Sequence, residues 1–103
     1  MTAPIKDERL NVEDKKRLDR LYSAILTLKS QDECASFLRD LCTLAELKAL
    51  GERFAIAELL SKDVSYRGAS DKTNASTTTV TRVAHWLNHG TGGYRTVLSR
   101  MKR

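Results

Sequence analysis

Long apolar runs are missing from this chain: no stretch approaches the ~20 consecutive apolar residues that a membrane-spanning helix needs. The charged N-terminus also lacks the apolar segment of a secretion signal, so a soluble, cytoplasmic protein without a membrane partner is expected. Cysteine is scarce. Cys34 and Cys42 lie eight positions apart in one expected helical region, too far along a helix to share a disulfide, and read as small core hydrophobes in a reducing compartment. Paired catalytic carboxylates, a Ser/His/Asp or Cys/His arrangement and a phosphate-cradling glycine loop beside a strand are absent too. Neither an enzyme nor a cofactor is therefore expected. His85 and His89 have the i,i+4 spacing of a two-ligand metal face. With no HExxH string and no third ligand nearby, no metal site is expected, and contact with phosphate or solvent is the reading for both.

What is present is a short globular chain. Its 103 residues are 41% hydrophobic and 30% charged, enough for one small domain whose core is marginal alone and which is therefore a candidate for oligomerisation. The charge is unevenly spread. Residues 1–63 carry a net charge of −1, whereas residues 64–103 carry seven Lys/Arg against one acid, Asp71, for a net +6. A basic half of this kind suits a phosphate-facing surface, and elsewhere it is simply a solvated face.

Residues 1–12, with Pro4 and mixed charges but no apolar stripe, read as a flexible arm, and residues 13–103 as one helical domain. Leu18, Leu21, Tyr22, Ile25 and Leu28 give helical spacing over 13–29. Ser30-x-x-Glu33 and Thr43-x-x-Glu46 have the spacing of capping boxes that open a second and a third helix. The third is apolar on more than one face, and Gly51 within it points to a close neighbour at the bare backbone, or to a glycine merely tolerated. Asn88 to Gly93 is a break, after which Tyr94, Val97, Leu98 and Met101 form a last amphipathic helix. Six helices result, with no strand and no internal repeat.

Residues 65–87 carry the most information. Two short helices meet at Thr73-Asn74-Ala75-Ser76, where Asn tolerates a left-handed conformation and Ser76 can cap the helix that follows. In that second helix Val80, Val83, Ala84 and Leu87 point inward, leaving Thr78, Thr81, Arg82 and His85 outside. This is the pattern of a helix-turn-helix, a DNA-reading motif.

The strings LAELKALGER (44–53), VSYR (64–67), ASTTTVTR (75–82) and NHGTGGY (88–94) resemble the Trp repressor superfamily, the last of them its YerC/YecD branch, over roughly residues 12–101. The resemblance implies an all-α, six-helix fold and an intertwined homodimer whose two reading heads bind double-stranded DNA at a near-palindromic operator. It also implies a sequence-specific transcriptional regulator, a repressor. By position, Arg67 matches a base-contacting arginine, and Thr77, Thr78, Thr79 and Thr81 match the recognition helix. Arg can grip guanine O6 and N7 together, and threonines offer hydroxyls and methyls to base edges. Ser70, Lys72, Ser76 and Arg82 complete the expected DNA-binding set, with Ser65, Tyr66 and His85 toward phosphates.

Thr43, Arg53 and Arg82 match positions at the effector pocket of the tryptophan-sensing members. Val83 and Trp86 stand where those have a glycine and a serine, adding bulk beside the pocket. Trp86 is thus expected either to fill the pocket, which makes DNA binding independent of tryptophan, or to pack on the third helix. Any other small-molecule effector is unidentified. Gly68, Ala69 and Ser70 replace bulkier or more helix-favouring residues, so the first reading-head helix is expected to be loosely held. Alternative readings are a helical dimer that binds RNA, protein or polyanions generally, and a small all-α enzyme of the chorismate mutase kind using Lys16, Arg17 and Arg20.

Overall fold

Capping side chains punctuate this fold and set where its helices begin. A computed structural model, which describes residues 9–102, contains α1 (Val12–Ile25), α2 (Gln31–Leu41), α3 (Leu44–Ser61), α4 (Tyr66–Thr73), α5 (Thr77–His89) and α6 (Gly93–Met101), with no strand among the described residues. The expected arm lies mostly outside the described residues. Its last two positions do not belong to it: Asn11 caps α1 in a full capping box with Asp14, and Val12 is helical. α1 also stops short of Lys29, because the chain turns at Leu26 and the Thr27 hydroxyl donates to the Ala24 carbonyl at 2.7 Å.

Of the two capping boxes read from the sequence, the one at α3 closes fully and the one at α2 only in its first half. The Thr43 hydroxyl accepts from the Glu46 N–H at 3.1 Å while the Glu46 carboxylate accepts from the Thr43 N–H at 2.8 Å, closing the box reciprocally. At α2 the Ser30 hydroxyl accepts from the Glu33 N–H, but the Glu33 carboxylate reaches one residue further back, to the Lys29 N–H at 2.9 Å.

α3 ends in a Schellman motif built without glycine. Asp63 takes φ 64°, its N–H donates to the Leu60 carbonyl, and the Val64 N–H donates to the Leu59 carbonyl, so two terminal carbonyls are satisfied. Leu59, Leu60 and Val64 all pack onto the core, which explains why the chain accepts a left-handed non-glycine residue here.

The chain divides into two compact units, and the boundary falls inside α3, between Leu47 and Lys48. In residues 48–102 the core is formed by Ile56 and Ala57 of α3, Ala69 of α4, Ala75 of the turn, Val80, Val83 and Leu87 of α5, and Leu98 of α6. The four inward positions expected on α5 are all buried. In residues 9–47 neither α1 nor α2 buries a single residue, and Tyr22, Ile25 and Leu41 are exposed. Among the described residues, a Cβ added at Gly51 would meet nothing within 4 Å.

Candidate nucleic-acid interface

The turn between α4 and α5 is fixed by its own hydroxyls. Asn74 sits in the left-handed region at φ 60°, as an Asn can, and ends α4. The Thr73 hydroxyl donates to the Ala69 carbonyl at 2.7 Å and accepts from the Ala75 N–H at 3.3 Å. The Ser70 hydroxyl donates to the Ala75 carbonyl at 2.6 Å, and Ala75 itself is buried. Ser76 then caps α5 by accepting from the Thr79 N–H.

These bonds answer the expectation of a loosely held first helix. Ala69 is 0% exposed. A Cβ at Gly68 would lie 3.0 Å from both the Ser65 hydroxyl oxygen and a Val64 methyl, so the missing side chain is what lets the Ser65 cap close onto the Gly68 N–H at 2.9 Å. The small residues allow α4 to lie close against its cap and its turn.

The hydroxyls expected at DNA fall into two groups. Thr77, Thr78, Thr81, Arg82 and His85 line one shallow hollow along α5, on the face opposite Val80, Val83, Ala84 and Leu87, and all five are exposed. Thr79 is half-buried, and its hydroxyl lies 3.0 Å from that of Ser76. Ser65 accepts a cap bond and keeps its own proton for an outside acceptor, whereas Ser76 accepts its cap bond and also shares a hydrogen bond with the Thr79 hydroxyl, in which either can donate. Ser70 differs, because its one proton is given to Ala75 and only lone pairs remain, which a phosphate or an acceptor base edge cannot use. The bond gives Ser70 a structural role in the turn and leaves its lone pairs for a donor. Arg67, Lys72 and Tyr66 are exposed on α4.

The residues expected at an effector pocket have different surroundings. Val83 is 2% exposed and belongs to the core, while Arg82 faces the α5 hollow. Trp86 is 55% exposed and lines a second hollow with Phe54, Thr91, Gly93, Tyr94 and Val97, so within one chain it is not buried packing. Phe54 and Tyr94 stack there with centroids 6.5 Å apart. Arg53 is exposed, and Thr43, the cap of α3, belongs to the other compact unit.

One polar link escaped sequence reading. Arg95 of α6 donates to the Asn88 side chain at 2.8 Å, tying α6 to the end of α5 across the Gly90–Gly92 break. Gly92 makes that break possible, since φ 91° there excludes ordinary side chains. Nothing in an Asn and an Arg seven positions apart announces such a bond.

An all-α chain in which a capped α4, a left-handed Asn and a Ser-capped α5 carry an exposed Thr/Arg face is a helix-turn-helix protein with a Trp repressor-like fold. The sequence profile of the Trp repressor protein family matches residues 16–102, and the chain belongs to that family, in its YerC branch. It is 40% identical over 87 residues to the uncharacterised protein YerC of Bacillus subtilis (strain 168), covering 84% of each chain. Among solved structures it is similar to a TrpR-like protein from Eubacterium eligens ATCC 27750, with TM-score 0.83, 36% identity, and 93% and 96% of the two chains covered. It is also similar to a proposed Trp repressor from Staphylococcus aureus, with TM-score 0.84, 34% identity and 96% of both chains covered. No helix among the described residues is long and apolar enough to cross a membrane.

Proposed function

We propose that this protein is a cytoplasmic, sequence-specific DNA-binding regulator, a transcriptional repressor that reads a palindromic operator as a homodimer. The observation that carries the reading is the α5 face, where Thr77, Thr78, Thr81 and Arg82 stand exposed side by side while the opposite face is buried. Such a helix can enter the major groove by its N-terminal residues, with its rear anchored in a rigid unit. Arg67 is assigned to a guanine, the three threonines to base edges, and Arg82, Lys72, Tyr66, Ser65, Ser76 and His85 to the sugar-phosphate backbone. Thr79, half-buried beside the Ser76 cap, is assigned to the same helix start. No catalytic role is assigned to any residue.

The homodimer is supported by α1 and α2, where no residue is fully buried and Tyr22, Ile25 and Leu41 are exposed. Apolar helix faces of this kind need a covering surface, and a second copy supplies it symmetrically. Independence from tryptophan is supported by Val83, which fills core space, and by the bulk of Trp86.

Selection from a random DNA pool tests the reading. The expected product is a near-palindrome with half-sites about one helical turn apart, bound at least ~10³-fold more tightly than random DNA. Equal affinity for all sequences with the same steep salt dependence would reduce the protein to a general polyanion binder. Calorimetry with L-tryptophan tests the second part: saturable binding that tightens operator affinity would overturn tryptophan independence.

A further inference from the structure

The end of α5 holds the chain's two histidines. His85 and His89 are one turn apart, both are exposed, and their ring centroids are 5.4 Å apart with planes tilted by 49°. A transition-metal ion sits about 2.0–2.1 Å from each imidazole nitrogen, and so about 3.2 Å from each ring centre. Two imidazoles on one ion then have centres about 4.5 Å apart at a right angle and about 5.2 Å apart at the tetrahedral angle. The observed separation exceeds the tetrahedral value by only a few tenths of an ångström, which exposed side chains cover by small χ rotations.

We propose that His85 and His89 form a two-histidine chelate for a divalent transition-metal ion of the zinc, nickel or copper class. The i,i+4 spacing puts both rings on one face of α5, and their separation is close to that of two imidazoles on one ion. The remaining coordination positions belong to water, since no third His, Cys, Asp or Glu joins the pair among the described residues. Two features bear on affinity from opposite sides. The carbonyl end of α5, where His89 is the last residue, favours a cation. Arg82, which shares the α5 hollow with His85, and Arg95, bonded to Asn88 beside His89, oppose one. A hard ion held mainly by charge is disfavoured in that setting, whereas one held by nitrogen donation is accepted, so the site discriminates against Mg²⁺ and Ca²⁺.

Trp86 supplies the reporter. It is the chain's one tryptophan, and its ring lies edge-on to His85 with centroids 5.2 Å apart. In the tag-free full chain, Ni²⁺ should quench Trp86 fluorescence saturably at one ion per chain, and Zn²⁺ should bind with the same stoichiometry by calorimetry. Mg²⁺ and Ca²⁺ should do neither. His85→Gln and His89→Gln should each weaken Ni²⁺ and Zn²⁺ binding at least about tenfold while leaving the circular-dichroism melting curve of the metal-free protein in place. The proposal fails if the intact chain shows no saturable binding. It also fails if either variant retains full affinity, since the ion would then be held by one histidine or held elsewhere. The site does not depend on the DNA reading, and the experiment contains no DNA.

Discussion

The Ser70 hydroxyl donates to the main-chain carbonyl of Ala75 at 2.6 Å, so a side chain of α4 holds the turn that aims α5. Ser70→Ala leaves that half-buried carbonyl without its donor, a loss of about 1 kcal/mol. The expected result is a lower denaturant midpoint at unchanged slope. A variant as stable as the parent would show that this bond contributes nothing.

Gly68 sets up an opposition between helix propensity and close approach. Replacing a helical Gly by Ala ordinarily stabilises by about 1 kcal/mol. At this position the new methyl meets the Ser65 hydroxyl and a Val64 methyl at 3.0 Å, and Val64 is both β-branched and packed on the core. Gly68→Ala is expected to give no gain in stability. A rise of the full amount in equilibrium unfolding would mean that the cap can shift freely.

Asp63 and Asn74 have φ values of 64° and 60°, and both are non-glycine residues in the left-handed region. Asp63→Gly should stabilise the chain by about 1 kcal/mol, because the Schellman bonds stay and the Cβ strain goes. Asn74→Ala should destabilise by a similar amount, because Ala tolerates that conformation less well than Asn. Denaturation midpoints moving in opposite directions for the two variants would bear this out.

Glu46 introduces a pH dependence at the start of α3. The Thr43 N–H, followed by the Thr43 hydroxyl, favours its ionised carboxylate and holds its pKa below the ordinary glutamate value. For a group with a depressed folded-state pKa, the stabilisation is whole above the unfolded-state pKa and disappears as pH falls through the lowered one. Part of the acid-induced loss of stability is therefore expected to be missing in Glu46→Gln. Parallel losses in parent and variant, measured by denaturation across the acid range, would exclude this capping box as a source.

Arg67→Ala tests base readout. A cost of about 1 to 3 kcal/mol in operator affinity, with relaxed preference at one base position, is expected of an arginine bidentate to guanine. A uniform loss over all sequences would reassign Arg67 to a phosphate.

Helix order, the Ser30 cap, the Thr43–Glu46 box, the Asn74 turn and the inward face of α5 were legible because each is a local signal: a hydroxyl three residues before an acid, or apolar residues at helical spacing. The signal at Asn11-x-x-Asp14 is of the same kind, but mixed charges around it suggested an arm. Asp63 was not legible, since its left-handed conformation is required by Leu59, Leu60 and Val64 reaching one core, a tertiary demand with no sequence pattern of its own. The role of Ser70 was hidden for a similar reason. A serine on a reading-head helix suits DNA and a neighbouring carbonyl equally, and the bond to Ala75 has no sequence pattern of its own. Gly68 and Ala69 looked like weaknesses because propensity scales count the missing side chain and not the space that it frees for Ser65.

Two helices that bury no residue of their own have a thermodynamic consequence. α1 and α2 leave Tyr22, Ile25 and Leu41 exposed, so a surface that covered these residues would add to the stability of both helices. With a second copy as the cover, folding and association become linked equilibria. Melting temperature then climbs with protein concentration.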